Sequence, residues 1–199
     1  MTNQAATSLA ERPARKPRID AQRNHDRVLE AAKIVFSAGG PDASLEAVAR
    51  QAGVGIGTLY RHFPTREALF EAVYRREVQQ LADLAEQLME QPDPVEALRR
   101  WMHAIVEFVA TKKGMLATLA VAAQSKSDMT ALSSERLTRM GGRLLDRAVA
   151  AGTVRADISP EDLLLTLVGL CSIRSAPGWK TNVLRLVDVF VDGMRRDAA

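Results

Sequence analysis

The run Gly55-Ile56-Gly57-Thr58-Leu59-Tyr60-Arg61-His62 concentrates the chemically useful side chains of this 199-residue sequence. It offers a hydroxyl, a phenol, a guanidinium and an imidazole, but no nucleophile beside a base. What these groups share is the ability to hydrogen-bond to an acceptor-rich surface. Thr58 brings a hydroxyl and a methyl, which suit a base edge or a thymine methyl. Tyr60 and His62 can donate to phosphate oxygens, and Arg61 can reach a base or a phosphate. Gly55 and Gly57 carry no side chain, so the backbone here can approach a polyanion closely. Upstream, Ser44 can offer its hydroxyl and backbone N–H to a phosphate at a helix start. Downstream, Arg66 can hold the other flank. A second basic group, Arg12-Pro-Ala-Arg15-Lys16-Pro-Arg18, can reach into an adjacent minor groove. Each residue also has a plainer reading. Tyr60 can be a core aromatic, His62 a helix C-terminal cation, Arg66 a solvated residue and the basic stretch a solvated tail.

Other chemistries are poorly supplied. Cys171 is the only cysteine, and His25, His62 and His103 are far apart in sequence. No disulfide framework, cysteine-rich zinc site or multi-histidine site is expected. The chain has no glycine loop after a strand, no H-E-x-x-H and no G-x-S-x-G. No catalytic residue, metal or cofactor is therefore expected, and an enzyme is disfavoured. Charge is unevenly distributed. Residues 1–77 hold 12 Lys+Arg against 9 Asp+Glu, while residues 78–199 hold 15 of each. The net charge of +3 thus lies wholly in the amino-terminal part, as expected for a polyanion-binding end attached to a neutral body. The opening residues lack an apolar export signal. The longest apolar stretch, Leu163 to Ile173, is interrupted and too short to span a bilayer. A cytoplasmic protein with a reduced Cys171 is expected.

Periodicity shows what positions these residues. Residues 1–19 have no apolar face and read as a flexible basic arm. From Asp20, apolar residues recur at helical spacing until Gly39-Gly40-Pro41. Ser44 caps a short helix over 45–52, and Gly53-Val54-Gly55 makes a turn. A second short helix covers 56–62, and a long one follows from Arg66 to about Glu90. Leu45, Val48, Ala52, Val54, Leu59 and Phe63 supply an inward side. This is the layout of a DNA-reading helix–turn–helix. Asp93-Pro94-Val95-Glu96 starts a further helix, which breaks at Lys112-Lys113-Gly114. Helices are then predicted over 115–123, 128–150 and 163–173, with Gly141-Gly142 weakening the second. A last helix carries Val183, Leu186, Val187, Phe190 and Met194. The fold class is all-α, with about nine helices and no convincing strand.

The run from Ala47 to Leu69, including Leu59-Tyr60-Arg61-His62-Phe63 and Arg66-Glu67-Ala68-Leu69, resembles the DNA-binding domain of TetR-family transcriptional regulators. The preceding Ala31-Ala32…Phe36…Gly39 pattern is similar too. The resemblance covers about residues 20–75. It implies an amino-terminal helix–turn–helix domain over 20–66 and a ligand-binding, dimerising body over 67–199. It also implies that Thr58, Tyr60, His62 and Arg66 fall at DNA-contact positions, with Ser44 and Gly57 nearby, while Arg61 occupies a variable position.

In the body, a wide apolar stripe can be internal core or a partner surface. The family resemblance implies a homodimer through the last two helices, with Leu163, Leu167, Val183, Leu186, Val187, Phe190 and Met194 at the interface. Candidate residues around a small-molecule effector are Trp101, Ile105, Phe108, Met115, Leu119, Met140, Leu144 and Arg174. For each, plain core placement is the competing reading; for Arg174 it is a salt bridge at the dimer edge. His103 is expected to be exposed. The function expected is a repressor that binds a pseudo-palindromic double-stranded DNA operator and is released by an effector, without membrane contact. The alternative is a helical interaction or ligand-binding protein that does not act through DNA.

Overall fold

A computed structural model of the chain describes residues 16–38, 43–118, 126–172 and 178–196. Eight helices occur among the described residues: α1 (Lys16–Ala38), α2 (Leu45–Ala52), α3 (Ile56–His62), α4 (Arg66–Leu88), α5 (Pro94–Thr118), α6 (Lys126–Ala150), α7 (Pro160–Ser172) and α8 (Trp179–Gly193). One antiparallel bridge, Val154 to Arg195, is the only β pairing among them. It ties the α6–α7 connection to the end of α8, helped by Arg155 N–H donating to the Met194 carbonyl at 2.9 Å.

Side-chain caps set four of the eight helix starts. The Ser44 hydroxyl accepts from Ala47 N–H at 3.1 Å, and the Thr65 hydroxyl accepts from Ala68 N–H at 3.0 Å. The Asp93 carboxylate accepts from Val95 N–H at 2.8 Å and Glu96 N–H at 3.1 Å. Ser159 and Asp162 cap α7 reciprocally: Asp162 N–H donates to the Ser159 hydroxyl at 3.1 Å, and Ser159 N–H donates to the Asp162 carboxylate at 2.9 Å. Each such cap is worth about 1 kcal/mol.

Three expectations are corrected. α1 begins at Lys16 rather than Asp20, so residues 16–19 belong to the helix and not to the arm. Pro17 permits this because proline is tolerated in a helix's first turn, where its missing N–H has no partner to lose. The break at Lys112-Lys113-Gly114 does not occur, because α5 runs on to Thr118 and merges with the separate helix expected from residue 115. One glycine costs a helix about 1 kcal/mol, and tertiary contacts outweigh that here. Lys112 lies over the Tyr74 ring at 5.6 Å and Lys113 over the Trp179 ring at 4.2 Å. Finally, Gly141-Gly142 does not weaken α6. A Cβ on Gly141 would stand 2.6 Å from Cζ3 of Trp101, so the bare backbone is what lets α6 lie against that ring.

The core is continuous from the amino-terminal helices into the body. α1 packs on α2 and also on α5, and α4 packs on α5 and α6. Polar contacts reinforce the junction. The Lys33 ammonium pairs with the buried Glu77 carboxylate at 2.8 Å, joining α1 to α4. The Ser37 and Thr111 hydroxyls share a hydrogen bond of 2.8 Å, joining α1 to α5. Among the described residues, no helix is long and apolar enough to cross a membrane.

Candidate nucleic-acid interface

α2 and α3 are joined through Gly53, which sits in the left-handed region at φ 63°. Its N–H donates to the Arg50 carbonyl at 3.1 Å, and Val54 N–H donates to the Ala49 carbonyl at 3.0 Å. Glycine is needed here for its backbone: a side chain would be strained at this φ, whereas the 2.7 Å approach of a Cβ to Nη2 of Arg27 would only displace the end of that exposed side chain.

The apolar side of the pair faces inward as expected. Leu45, Val48, Ala49, Ala52, Leu59 and Phe63 are buried with Val28, Ala32, Phe36 and Leu69, and Val54 is half-buried. Full burial of a side chain such as Leu59 contributes about 1.5–3 kcal/mol. This fixes which side of α3 is left over. Gly55, Ile56, Gly57, Tyr60 and Arg61 are exposed, and Thr58 and His62 are half-buried. A Cβ on Gly55 or Gly57 would have nothing within 4 Å. Glycine inside a helix costs about 1 kcal/mol relative to alanine, and among the described residues no neighbour requires it at 57. The face of α3 is thus narrow and hydrogen-bonding, and a surface outside the chain can come close to it.

Two flanking residues differ from the simple picture. Ser44 is half-buried, its oxygen already caps α2, and its hydroxyl also interacts with the Glu46 carboxylate. Arg66 turns inward. Its Nη2 donates to the Ala43 carbonyl at 2.6 Å, and its guanidinium lies 5.7 Å from the Phe36 ring centroid. Arg66 therefore clamps α4 to the start of α2 rather than lying on the outward face, which corrects the DNA-contact expectation. Its stem is short of the surface because Phe36 offers an apolar plate for it. Arg15 lies outside the described residues. Lys16 and Arg18 belong to the first turn of α1, and their side chains also lie outside the described set.

Sequence reasoning missed two members of this surface. Ile56 is 40% exposed. Its apolar type suggests core, and only its position at the start of α3 beside two glycines hints otherwise. His25 is brought to α3 by tertiary structure. Its ring centroid lies 5.9 Å from that of His62 and 5.0 Å from that of Phe63. The two histidines are distant in sequence, so no local signal could pair them.

The body corrects the interface expectation. Leu163, Leu167, Val183, Val187 and Met194 are all 2% exposed or less, buried inside the chain's own core. Helical spacing identifies a face but not what covers it, and here α5 and α6 cover it. Of the seven residues named, Leu186 is 38% exposed and Phe190 half-buried. The outward apolar face of α7 and α8 instead carries Leu165 at 71%, Val168 at 52% and Val189 at 63%, beside Leu186.

Among the effector candidates, Trp101, Ile105, Phe108, Met140 and Leu144 are buried. The Trp101 indole donates to the Leu81 carbonyl at 3.3 Å, and its ring lies against Gly141, so it serves as a structural wedge. Phe108 stacks at a tilt on Tyr74 at 5.2 Å. The side chain of Met115, and all of Leu119 and Arg174, lie outside the described residues. An open groove of about 530 Å³ lies between α6 and the start of α7, lined by Glu135, Arg139, Arg143, Asp146 and Glu161 among others; none of the predicted apolar residues lines it. His103 is not exposed as expected. It is half-buried, with Nε2 at 2.8 Å from the Asp188 carboxylate. Arg99 bridges Asp188 at 2.9 Å and Asp192 at 2.5 Å, so the cluster joins α5 to α8. Burial works against ionisation of Asp188, but Arg99 and His103 outweigh it and hold its carboxyl below the ordinary range. Cys171 is buried, and that burial pushes its thiol up, away from the reactive thiolate.

An amino-terminal helix–turn–helix joined through one long helix to an all-helical body defines a class of DNA-binding regulator. Residues 28–73 match the model of the bacterial regulatory proteins of the tetR family, and residues 93–196 match that of the SbtR-like transcriptional regulator C-terminal domain. The chain belongs to the TetR family of transcriptional regulators. It is similar to the crystal structure of the TetR regulator SCO0520 from Streptomyces coelicolor, at 42% identity and a TM-score of 0.77, over 87% of this chain and 99% of that one. It is also similar to the transcriptional regulator TtgW of Pseudomonas putida, 43% identical over 61 residues, which are 30% of this chain and 46% of that protein. The repressor KstR of Mycolicibacterium smegmatis is 37% identical over 83 residues, 41% of this chain and 38% of KstR. The chain spans less than half the length of these two curated relatives. Membership of the family favours the DNA-binding reading over a helical interaction protein that never touches DNA.

Proposed function

We propose that this protein is a homodimeric repressor that reads a pseudo-palindromic operator with α3 and releases it when a small molecule binds the body. The observation that carries this reading is the outward face of α3. Gly57 stands in a helix with open space beside it, between exposed Ile56 and half-buried Thr58, one turn from exposed Tyr60 and Arg61. Thr58 and Arg61 are assigned to base edges, Tyr60, His62 and the Ser44 hydroxyl to phosphates. Arg15, Lys16 and Arg18 are assigned to the flanking backbone or minor groove, where they supply salt-dependent affinity. The dimer is assigned to the exposed Leu165, Val168, Leu186 and Val189, which α7 and α8 present together. In such a dimer the two α3 helices enter successive major grooves about 34–36 Å apart.

Effector release follows from linkage. A molecule that favours a body conformation with another α3 spacing lowers DNA affinity by its own differential affinity for the two states. The junction is well made for this, because both α4 and α5 grip α1 through Lys33–Glu77 and Ser37–Thr111. The test is selection of bound fragments from a random DNA pool, followed by gel-shift titration at fixed salt. Tyr60→Ala is expected to weaken binding of the selected fragment at least tenfold with the dimer intact. Equal binding by the variant would overturn the assignment. A paired Leu165→Glu and Val189→Glu variant is expected to sediment as a monomer; an unchanged dimer mass would place the interface elsewhere.

A further inference from the structure

His25 and His62 come from opposite ends of the amino-terminal domain's sequence and meet at one edge of the reading surface. Their ring centroids are 5.9 Å apart in an edge-to-face arrangement, and both are half-buried. His25 is braced on the buried Phe63 ring at 5.0 Å. His62 sits in the last turn of α3 beside Arg61, two residues after the exposed Tyr60. Among the described residues, charged groups approach the pair from several elements. On α1, the Asp26 carboxylate lies 3.5 Å from Nδ1 of His25. On α3, Arg61 adjoins His62 in sequence and is exposed. From α4, Arg76 donates to the Asp26 carbonyl at 3.1 Å and pairs with Glu30 at 3.1 Å. From the α2–α3 turn, the carbonyl of Gly53 receives Arg27 at 3.5 Å.

We propose that His25 is a further DNA-contact residue, and that it forms with His62 a phosphate site whose occupation takes up a proton. This rests on the DNA-binding reading above. A phosphate oxygen only accepts hydrogen bonds, whereas a neutral imidazole presents one donor and one acceptor. Each neutral ring thus offers a phosphate one N–H and no charge. Protonation turns each lone pair into a donor. In the free protein, charging both rings sets like charges 5.9 Å apart. Asp26, 3.5 Å from Nδ1 of His25, offsets part of this repulsion, and a DNA phosphate at that edge adds a second counter-charge that reaches both rings. Binding that takes up a proton tightens as pH falls, by up to about tenfold per pH unit for each proton. Histidine is the side chain whose ordinary charge change falls between pH 5 and 8, which sets the range to scan.

The experiment is a fluorescence-anisotropy titration of a pool-selected operator fragment at constant ionic strength, from about pH 6 to pH 8. Wild-type affinity is expected to fall about tenfold over that range. His25→Phe keeps a ring on Phe63 but cannot titrate, and it is expected to lose at least half of the logarithmic slope. His62→Gln is an independent route to the same loss, and the double variant is expected to be flat. His103→Gln, in the body, is expected to keep the full slope. A wild-type protein that binds with a flat pH profile overturns the inference and leaves the DNA-binding reading standing. So does a His25→Phe protein with the full wild-type slope. A wild-type protein that retains no fragment at any pH overturns the DNA-binding reading and this inference with it.

Discussion

The reading head around α3 and the outward side of α7 and α8 are both helical surfaces left over after a core is filled. They were not equally visible. On α3 the outward residues are mostly glycine, threonine, tyrosine and arginine, types with a reason of their own to face a hydrogen-bonding partner, and the one apolar member, Ile56, is the one the sequence did not reveal. On α7 and α8 the outward residues are leucine and valine, the same types that fill the core behind them. A polar residue on a helix announces its exposure because burying it without a partner costs free energy. An apolar residue announces nothing, because it is tolerated on either side. The stripe of Leu163, Leu167, Val183, Val187 and Met194 is accordingly the inner one, and the exposed apolar face is one step round each helix.

Four measurements can break this comparison or sharpen it. The largest effect is expected from Leu163→Ala against Leu165→Ala. The first should lower the unfolding free energy by about 2–5 kcal/mol at any protein concentration. The second should act through dimerisation, so its effect should vanish in dilute protein and grow towards a constant as concentration rises. Equal and concentration-independent losses in urea melts would mean both faces are internal.

Next come two glycines. Gly141→Ala places a methyl 2.6 Å from the Trp101 ring and is expected to cost about 1–3 kcal/mol. Gly57→Ala meets no obstacle and should leave stability equal or up to about 1 kcal/mol higher, while weakening operator binding at least tenfold. A Gly57→Ala protein that binds DNA normally would show that close approach at α3 is not needed.

A smaller shift is expected at the clamp. Arg66→Lys loses the Ala43 contact and the plate on Phe36. It should lower stability by about 1 kcal/mol and reduce operator affinity in proportion to the fraction misfolded. A stable variant with strongly reduced affinity would return Arg66 to the DNA surface. The smallest effect is expected from Asp188→Asn. The fold holds the Asp188 carboxyl low, so its contribution to stability is present above the unfolded value near pH 4. That contribution fades as pH falls through the folded value. Asp188 is partly exposed, which limits the gap between wild type and variant to no more than about 1 kcal/mol at neutral pH. The gap should narrow in thermal melts as pH falls below the unfolded value near 4; a gap that stays constant down the series would mean the loss comes from geometry and not charge.

The family, the helix–turn–helix and the outward residues of α3 were legible in the residue string because local rules govern them. Ser44, Gly53 and Thr65 act on the backbone within a few residues, and the 3.6-residue period separates Leu59 and Phe63 from Thr58 and Tyr60. Other features were decided only when distant segments met. Nothing near Arg66 in sequence says that Phe36 and Ala43 will capture it. Nothing near Gly141 says that Trp101 will occupy its missing side chain, so a glycine pair that reads as a weak point is a contact. The run of Lys112 to Gly114 reads as a break until Tyr74 and Trp179 are set beside it. The meeting of His25 with His62, and the choice of which apolar face of α7 and α8 lies inward, have the same origin. Spacing along a helix fixes an angle about its own axis, and only contact with another helix turns that angle into inside or outside.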